Sequence, residues 1–281
     1  MSFFEGRKAV LATMHGKEKA IVPILEKELG LQIVVPEHFD TDQFGTFTRE
    51  IKRTGNQLEA ARRKAQAAMK ITGIDLGIAS EGSFGSDPEI PFVQSNLELL
   101  VLVDEKNLLE ITGTHRSLET NSAGEYVSTV EEALAFAKKV GFPQHGVIVR
   151  KKEKSKRGIY KGIDTEEALR QRVTKLLKGF FIRKVYIETD MRAHMNPTRM
   201  ENIAKATTDL VLQCKSECPR CKTPGFSIVA TKSGRKCSGC GSVTDSPAAY
   251  IRTCQKCHFE KEIEIKHTIL ENPENCSWCN P

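Results

Sequence analysis

No cysteine occurs in the first 213 residues of this 281-residue chain, and all nine fall in the 68 residues that follow. A secreted disulfide protein would not leave so long a stretch uncrosslinked, so the expectation is a cytoplasmic chain whose thiols stay reduced for metal binding. Long apolar runs are also missing. The longest, Leu99 to Val103, is far short of the roughly 20 residues that span a bilayer, so no membrane partner is expected. Charges recur through residues 1–20, so no signal peptide is expected there. Charge of one sign is scarce too: 42 Lys and Arg against 36 Asp and Glu leave a net of +6, and 39% of residues are hydrophobic. That composition excludes a disordered, collagen-like or histone-like chain. At about 150 residues per domain, the length suits one large domain or two smaller ones.

The cysteine border divides the chain into a front part, 1–213, and a tail, 214–281. In the front part strand-like and helix-like segments alternate. Lys8–Met14 reads as a strand, and Ile21, Ile24, Leu25 and Leu29 recur at helical period up to the stop at Gly30. Leu31–Val35 reads as a second strand, Asn56–Lys70 as a helix and Asp75–Ala79 as a third strand. Leu97–Asp104 and Leu108–Arg116 have the pattern of a hairpin. Thr129–Val140 is a capped helix, Val147–Arg150 a strand, Thr165–Lys178 a basic helix and Lys184–Glu188 a strand. Asn196 and Pro197 then start a helix running to about Leu212. The fold class expected is α/β with a mixed sheet, followed by a small zinc-ribbon tail. Arg150–Arg157, six basic residues and one acid, reads as a solvated loop, with a phosphate-contacting stripe as the sharper alternative.

Eight of the nine cysteines form four Cys-x-x-Cys pairs: Cys218/Cys221, Cys237/Cys240, Cys254/Cys257 and Cys276/Cys279. Each pair can present two thiolates to one ion, and two pairs complete the tetrahedral sulfur shell that zinc prefers. Two structural Zn²⁺ sites are therefore expected. Fifteen residues separate the first two pairs and 18 the last two, so pairing in sequence order closes the shorter loops and is favoured over an interleaved arrangement. Cys214 is left as a helix-end thiol without a metal role. Cys254 to His258 matches a haem-attachment pattern that needs export, and is read as accidental. Ribbons commonly grip nucleic acid or a protein partner. Ten basic and seven acidic residues in the tail give only weak electrostatic support for the former.

Candidate chemistry in the front part gathers at strand ends. Thr13, His15 and Lys17 follow the first strand at a Gly turn into a helix, the setting of an anion site built from backbone N–H groups. Glu81 leaves the third strand into a loop of small residues, where it suits a Mg²⁺ ligand or general base. Glu188, Asp190, Arg192 and His194 crowd the connector before Asn196. Asp40 and Asp42, in a polar loop, are further carboxylates; with Asp190 and His194 they could form a different metal centre.

In these segments the front half resembles the inosine/xanthosine triphosphate pyrophosphatase superfamily. The motifs that carry the likeness are Ala12-Thr13 followed by Lys17, Glu59-Ala60-Ala61-Arg62-Arg63-Lys64-Ala65, Glu81-Gly82-Ser83, and the hairpin after them. The likeness covers residues 8–117. It departs at His15 and Ala60, where that family carries Asn, and in a turn one residue shorter before Lys17. It implies an ITPase-like fold in which Lys17 and Lys64 hold triphosphate while Glu59 and Glu81 bind Mg²⁺ and position water. The whole chain also resembles an uncharacterised bacterial family with a cysteine-rich tail ending Cys279-Asn280-Pro281. The function expected is Mg²⁺-dependent hydrolysis of a nucleoside triphosphate or related phosphorylated small molecule. The alternative is a non-catalytic zinc-ribbon adaptor that binds nucleic acid or a protein.

Overall fold

The computed structural model describes residues 3–37, 39, 56–90, 92–179 and 182–281. The chain divides into two compact units, Met1–Val211 and Leu212–Pro281. Asp40 and Asp42 lie outside the described residues.

The first unit opens with β1 (Lys8–Ala12), α1 (Glu18–Leu29), β2 (Gln32–Val34), α2 (Gln57–Thr72), β3 (Leu76–Ser86), β4 (Gln94–Asp104) and β5 (Leu109–Ser117). These strands form a mixed sheet in the order β2-β1-β3-β4-β5, parallel among the first three and antiparallel from β3 onward. β2 and β3 flank β1 on opposite sides, so the right-handed crossover rule sends α1 and α2 to opposite faces. α2 presents Ala61, Ala65, Ala68 and Met69 to Val10, Ala79, Leu99, Val101 and Val103. These small side chains let its backbone lie close to the sheet, and Gly73 in the left-handed conformation ends it.

β3 corrects the sequence reading. Glu81-Gly82-Ser83 is not a loop: the strand runs on to Ser86 and pairs with β4 residue for residue down to Ser86↔Gln94. Small residues suit a strand here because its neighbours crowd it. A Cβ on Gly82 would collide with the Glu98 carboxylate and the Arg199 guanidinium.

A second sheet, which sequence patterning did not separate from the first, follows in the same unit. Its elements are β6 (Gly124–Val127), α3 (Val130–Lys139), β7 (Val147–Arg150), β8 (Ile159–Ile163), α4 (Glu166–Leu177) and β9 (Val185–Thr189). The strands lie in the order β6-β9-β7-β8, all antiparallel, so β9 is inserted between β6 and β7 as in a split βαβ unit. Val127, Phe136, Val147, Val149, Leu169, Val173 and Ile187 form its core with α3 and α4. Alternation along β7 turns Ile148 and Arg150 to the other face. Arg150 is therefore not part of a solvated stripe: it is buried and paired with Glu188 of β9. A short 3₁₀ turn, Ala193–Met195, precedes α5 (Pro197–Lys215), and the Asn196 side chain caps α5 by accepting the Arg199 N–H at 3.0 Å.

The second unit holds an antiparallel meander, β10 (Ser227–Ser233), β11 (Pro247–Thr253) and β12 (Glu260–Glu264). Its apolar core is small: Cys218, Phe226 and Cys254 are buried, with Cys257 and Phe259 against them. No helix among the described residues is long and apolar enough to cross a membrane.

Candidate functional site

β1 ends at Ala12, and the chain reverses through His15 and Gly16, both at positive φ (65° and 74°), before Lys17, the N-cap residue of α1. The Lys17 side chain turns inward, where its Nζ donates to Ser80 Oγ at 3.0 Å and to the Ser80 carbonyl at 3.3 Å. Next along β3, Glu81 pairs with Lys64 of α2. Across the sheet Glu98 of β4 accepts from Arg199 Nε at 2.8 Å and from Asn96 Nδ2 at 3.0 Å, and Asn202 donates to Asn96 at 3.0 Å. Lys17, Lys64, Glu81, Glu98 and Arg199 are all at least nine-tenths buried. Alternation along β3 and β4 puts Ser80, Gly82 and Glu98 on one face, with Lys17 and Arg199, and Glu81 with Lys64 on the opposite face, against α2. Burial, and then the positive charge of Arg199, lowers the Lys17 ammonium to about 7, against the opposing pull of Glu98 and Glu81.

The segment before α5 reaches the same turn. The His194 ring stacks on His15 with centroids 5.0 Å apart, and burial, reinforced by Arg192, holds its pKa below the ordinary histidine value. Asp190 is fully buried; it accepts from the Gly162 N–H at 3.0 Å and binds Arg192 Nη2 at 2.6 Å. Asp190 and Arg192 therefore hold this loop together. Thr13, mostly buried, donates to the Met14 carbonyl at 3.4 Å.

Glu59 stands apart from the cluster. It is exposed and completes a capping box on α2, accepting the Asn56 N–H at 3.2 Å. Its neighbour Gln57 turns inward instead, donating to the carbonyls of Glu81 (2.7 Å) and Leu97 (3.0 Å). Gln57, Ser80, Asn96, Glu98, Arg199 and Asn202 are the members that sequence reasoning missed. One signal was present: Glu98 is a lone acid inside the apolar run Leu97–Val103, and Asn196, Arg199 and Asn202 recur at three-residue spacing on α5.

In the tail, the thiols of Cys218, Cys221, Cys254 and Cys257 gather within 4.8 Å of one another, and so do those of Cys237, Cys240, Cys276 and Cys279. Pairing is thus interleaved, and the sequential expectation was wrong. Strand order is the reason. β10 leads from the first knuckle to the second, β11 returns to the third, and β12 leads out again to the fourth. In an antiparallel meander the first and third knuckles share one end and the second and fourth the other. Once the sheet forms, shorter loops confer no advantage.

The donor geometry fits zinc. Zn–S bonds of about 2.3 Å in a tetrahedron put sulfurs about 3.8 Å apart. The Sγ–Sγ separations are 3.7 Å (Cys218–Cys257), 3.5 Å (Cys221–Cys254), 3.8 Å (Cys237–Cys279) and 3.7 Å (Cys240–Cys276). Each knuckle is closed by an N–H from the residue after its second cysteine, Lys222, Gly241, His258 or Asn280, to the carbonyl of its first. Lys222, Gly241 and His258 are left-handed there, which gives His258 a backbone role in place of haem attachment. Cys214 joins neither cluster, and burial pushes its thiol up, out of reactive range.

Residues 64–281 match the family described as Domain of unknown function (DUF6671). The chain belongs to this family. The match spans Lys64, Glu81, Glu98, Asp190, Arg199 and all eight zinc-type cysteines, while Lys17 and Glu59 precede it. No curated protein matches the chain. Neither finding supports the resemblance to inosine/xanthosine triphosphate pyrophosphatases or a role for Mg²⁺.

Proposed function

We propose that the first unit of this DUF6671 protein binds a phosphorylated small molecule at the β1–α1 turn, and that the second unit is built around two structural zinc ions. One observation carries the reading: the buried Lys17, which feels the charges of Arg199, Glu98, Glu81 and Lys64, stands at the turn that presents the N-terminus of α1. Backbone N–H groups at a helix start and nearby cations suit phosphate, while Glu81 offers a carboxylate for a divalent ion or an attacking water.

The finer reading is hydrolysis of a nucleoside triphosphate with Mg²⁺. It is tested by phosphate and pyrophosphate release from a nucleotide panel. Turnover that falls at least 100-fold in Glu81→Gln supports it; no turnover and no ligand-induced rise in melting temperature rejects it. In the second unit each ion would have four thiolate ligands and no open position, so its part would be to hold the fold.

A second reading, an adaptor, is favoured by a different observation. β10 and β12 are mostly exposed, and a groove of about 420 Å³ beside them is lined by Lys232, Arg235, Lys236, Lys266 and His267 together with Glu262, which pairs with Lys232, and Glu264. A salt-sensitive affinity for nucleic acid, lost on Lys236→Glu/Lys266→Glu, supports it.

A further inference from the structure

Residues 150–184 hold 13 Lys and Arg against four Asp and Glu, a net of +9, while the rest of the chain carries 29 against 32. The fold sorts these charges. β9 runs antiparallel to β6 and β7, and β7 to β8, so the β7–β8 turn, the end of β6 and the entry to β9 meet at one end of the second sheet. There the turn exposes Lys151, Lys152, Lys154, Lys156 and Arg157. α4 starts at the far end of β8 and runs back, so that its C-terminal end and the approach to β9 add the exposed Lys175, Lys178, Arg183 and Lys184. Asp164, Glu166 and Glu167 stay at the opposite end, where α4 begins. Glu131 and Glu132, in the first turn of α3, are engaged: one pairs with Arg170 and the other accepts the Ser128 N–H at 2.6 Å.

The β7–β8 turn is held in shape. Arg150, itself buried, is fixed by Glu188 and donates from Nη1 to the carbonyls of Glu153 (3.4 Å) and Ser155 (3.5 Å). The Ser155 N–H reaches the Lys152 carbonyl at 2.9 Å, and the Glu153 N–H donates to the Tyr126 hydroxyl at 3.2 Å. Five cations are thus kept close within seven residues, where they repel one another, and a polyanion relieves that repulsion. Tyr126 narrows the choice of polyanion. It stands opposite Tyr186 across β6 and β9 with ring centroids 5.1 Å apart, and it remains 48% exposed beside the basic turn. A single strand of nucleic acid matches both features, with phosphates for the cations and unpaired base faces that stack on an aromatic ring. We infer that this end of the second sheet binds single-stranded nucleic acid, its phosphates on the β7–β8 turn and a base against Tyr126. The surface is distinct from the Lys17 turn and from the groove of the second unit.

The test uses the full-length protein with zinc supplied and a fluorescein-labelled oligouridylate of about 20 nucleotides, read by anisotropy. The expected result is saturable binding that weakens with salt, with a log–log slope of about −3 for about four phosphates contacted. Lys152→Glu/Lys154→Glu, both at exposed positions, should weaken it at least tenfold. Tyr126→Leu should weaken it at least fivefold, and Tyr126→Phe, which keeps the ring, should retain most of the affinity. Four results overturn the inference: no binding at about 50 mM salt; a loss that follows Lys236→Glu/Lys266→Glu and not Lys152→Glu/Lys154→Glu; equal affinity for a duplex of the same length or for phosphatidylserine vesicles; or equal losses in Tyr126→Leu and Tyr126→Phe. None of these outcomes depends on nucleotide hydrolysis at Glu81.

Discussion

The two units of this chain reach order by opposite means. Met1–Val211 encloses apolar cores on its two sheets, and its strands and helices bury Val, Leu, Ile and Ala on faces set by their periodicity. Leu212–Pro281 buries mainly small and cysteine side chains, with Phe226 its one buried large apolar residue, and every residue of β12 is exposed. A domain that small rarely offsets its chain entropy by burial alone, and metal staples are a common remedy. The difference separates two kinds of buried charge. In the tail thiolates would neutralise a metal; in the first unit ammonium, guanidinium and carboxylate neutralise one another. The former fixes a fold and the latter leaves a cluster whose charge can still change.

The strongest test of the contrast is zinc removal. Structural zinc contributes roughly 10–16 kcal/mol in small finger peptides. Chelation is expected to unfold residues 212–281 and leave the first unit folded, seen as protease sensitivity confined to the tail. Metal analysis sharpens it further. Cys218→Ser/Cys257→Ser should lower bound zinc from two ions per chain to one, and Cys218→Ser/Cys276→Ser to none. Sequential pairing predicts the same loss of both ions for the two variants.

A smaller but still large effect is expected within the first unit. Arg199→Met would leave Glu98 buried without its cation, at a cost of about 3–5 kcal/mol in denaturant unfolding. Adding Glu98→Gln should restore part of that loss. If Arg199→Met alone is neutral, the cluster is not the electrostatic unit described above.

How much of this was legible in the sequence follows the same division. Cysteine spacing picked out the eight thiols that gather in two groups able to hold zinc, because ligand chemistry is local: two thiolates across a tight turn. It did not identify their partners, since these depend on which ends of the strands β10, β11 and β12 bring together. In the first unit the apolar strands and capped helices were legible from period and caps, and the β4–β5 hairpin from its pattern. The end of β3 was not, because Ser80 to Ser86 has the composition of a loop and is kept extended by β4. β6 and β8 were missed for a related reason: Gly124–Val127 is only four residues long, and Ile159–Ile163 follows a basic run. Arg199 was overlooked because a helix-interior arginine is ordinarily solvated, and only the tertiary contact with Glu98 buries it.

The Lys17 ammonium gives the next prediction, about 1.4 kcal/mol per pH unit. Its folded value of about 7 lies below the ordinary 10.5, so between these values the unfolded chain binds more protons. Stability should therefore rise with pH across that window and carry the full penalty below pH 7. Lys17→Met should flatten the profile there, as measured by urea unfolding at several pH values. Phosphate bound nearby would favour the protonated form. Above pH 7 binding should then take up a proton, detected as a buffer-dependent heat in calorimetry, and weaken as pH rises.

The smallest expected effect decides the part played by Glu59, which the pyrophosphatase resemblance makes a metal ligand and the structure makes half of a capping box. As a cap partner it supports only the first turn of α2, and Glu59→Ala should cost about 1 kcal/mol or less. Asn56→Ala, which removes the other half of the same box, should cost a similar amount. The two variants should then lower the melting temperature together and leave any phosphate-releasing activity in place. A metal ligand behaves differently: Glu59→Ala would abolish activity, and Asn56→Ala would not. Because the carboxylate is exposed and already accepts the Asn56 N–H, we expect the first outcome, with Gln57 and not Glu59 acting as the α2 side chain that reaches the Glu81 strand.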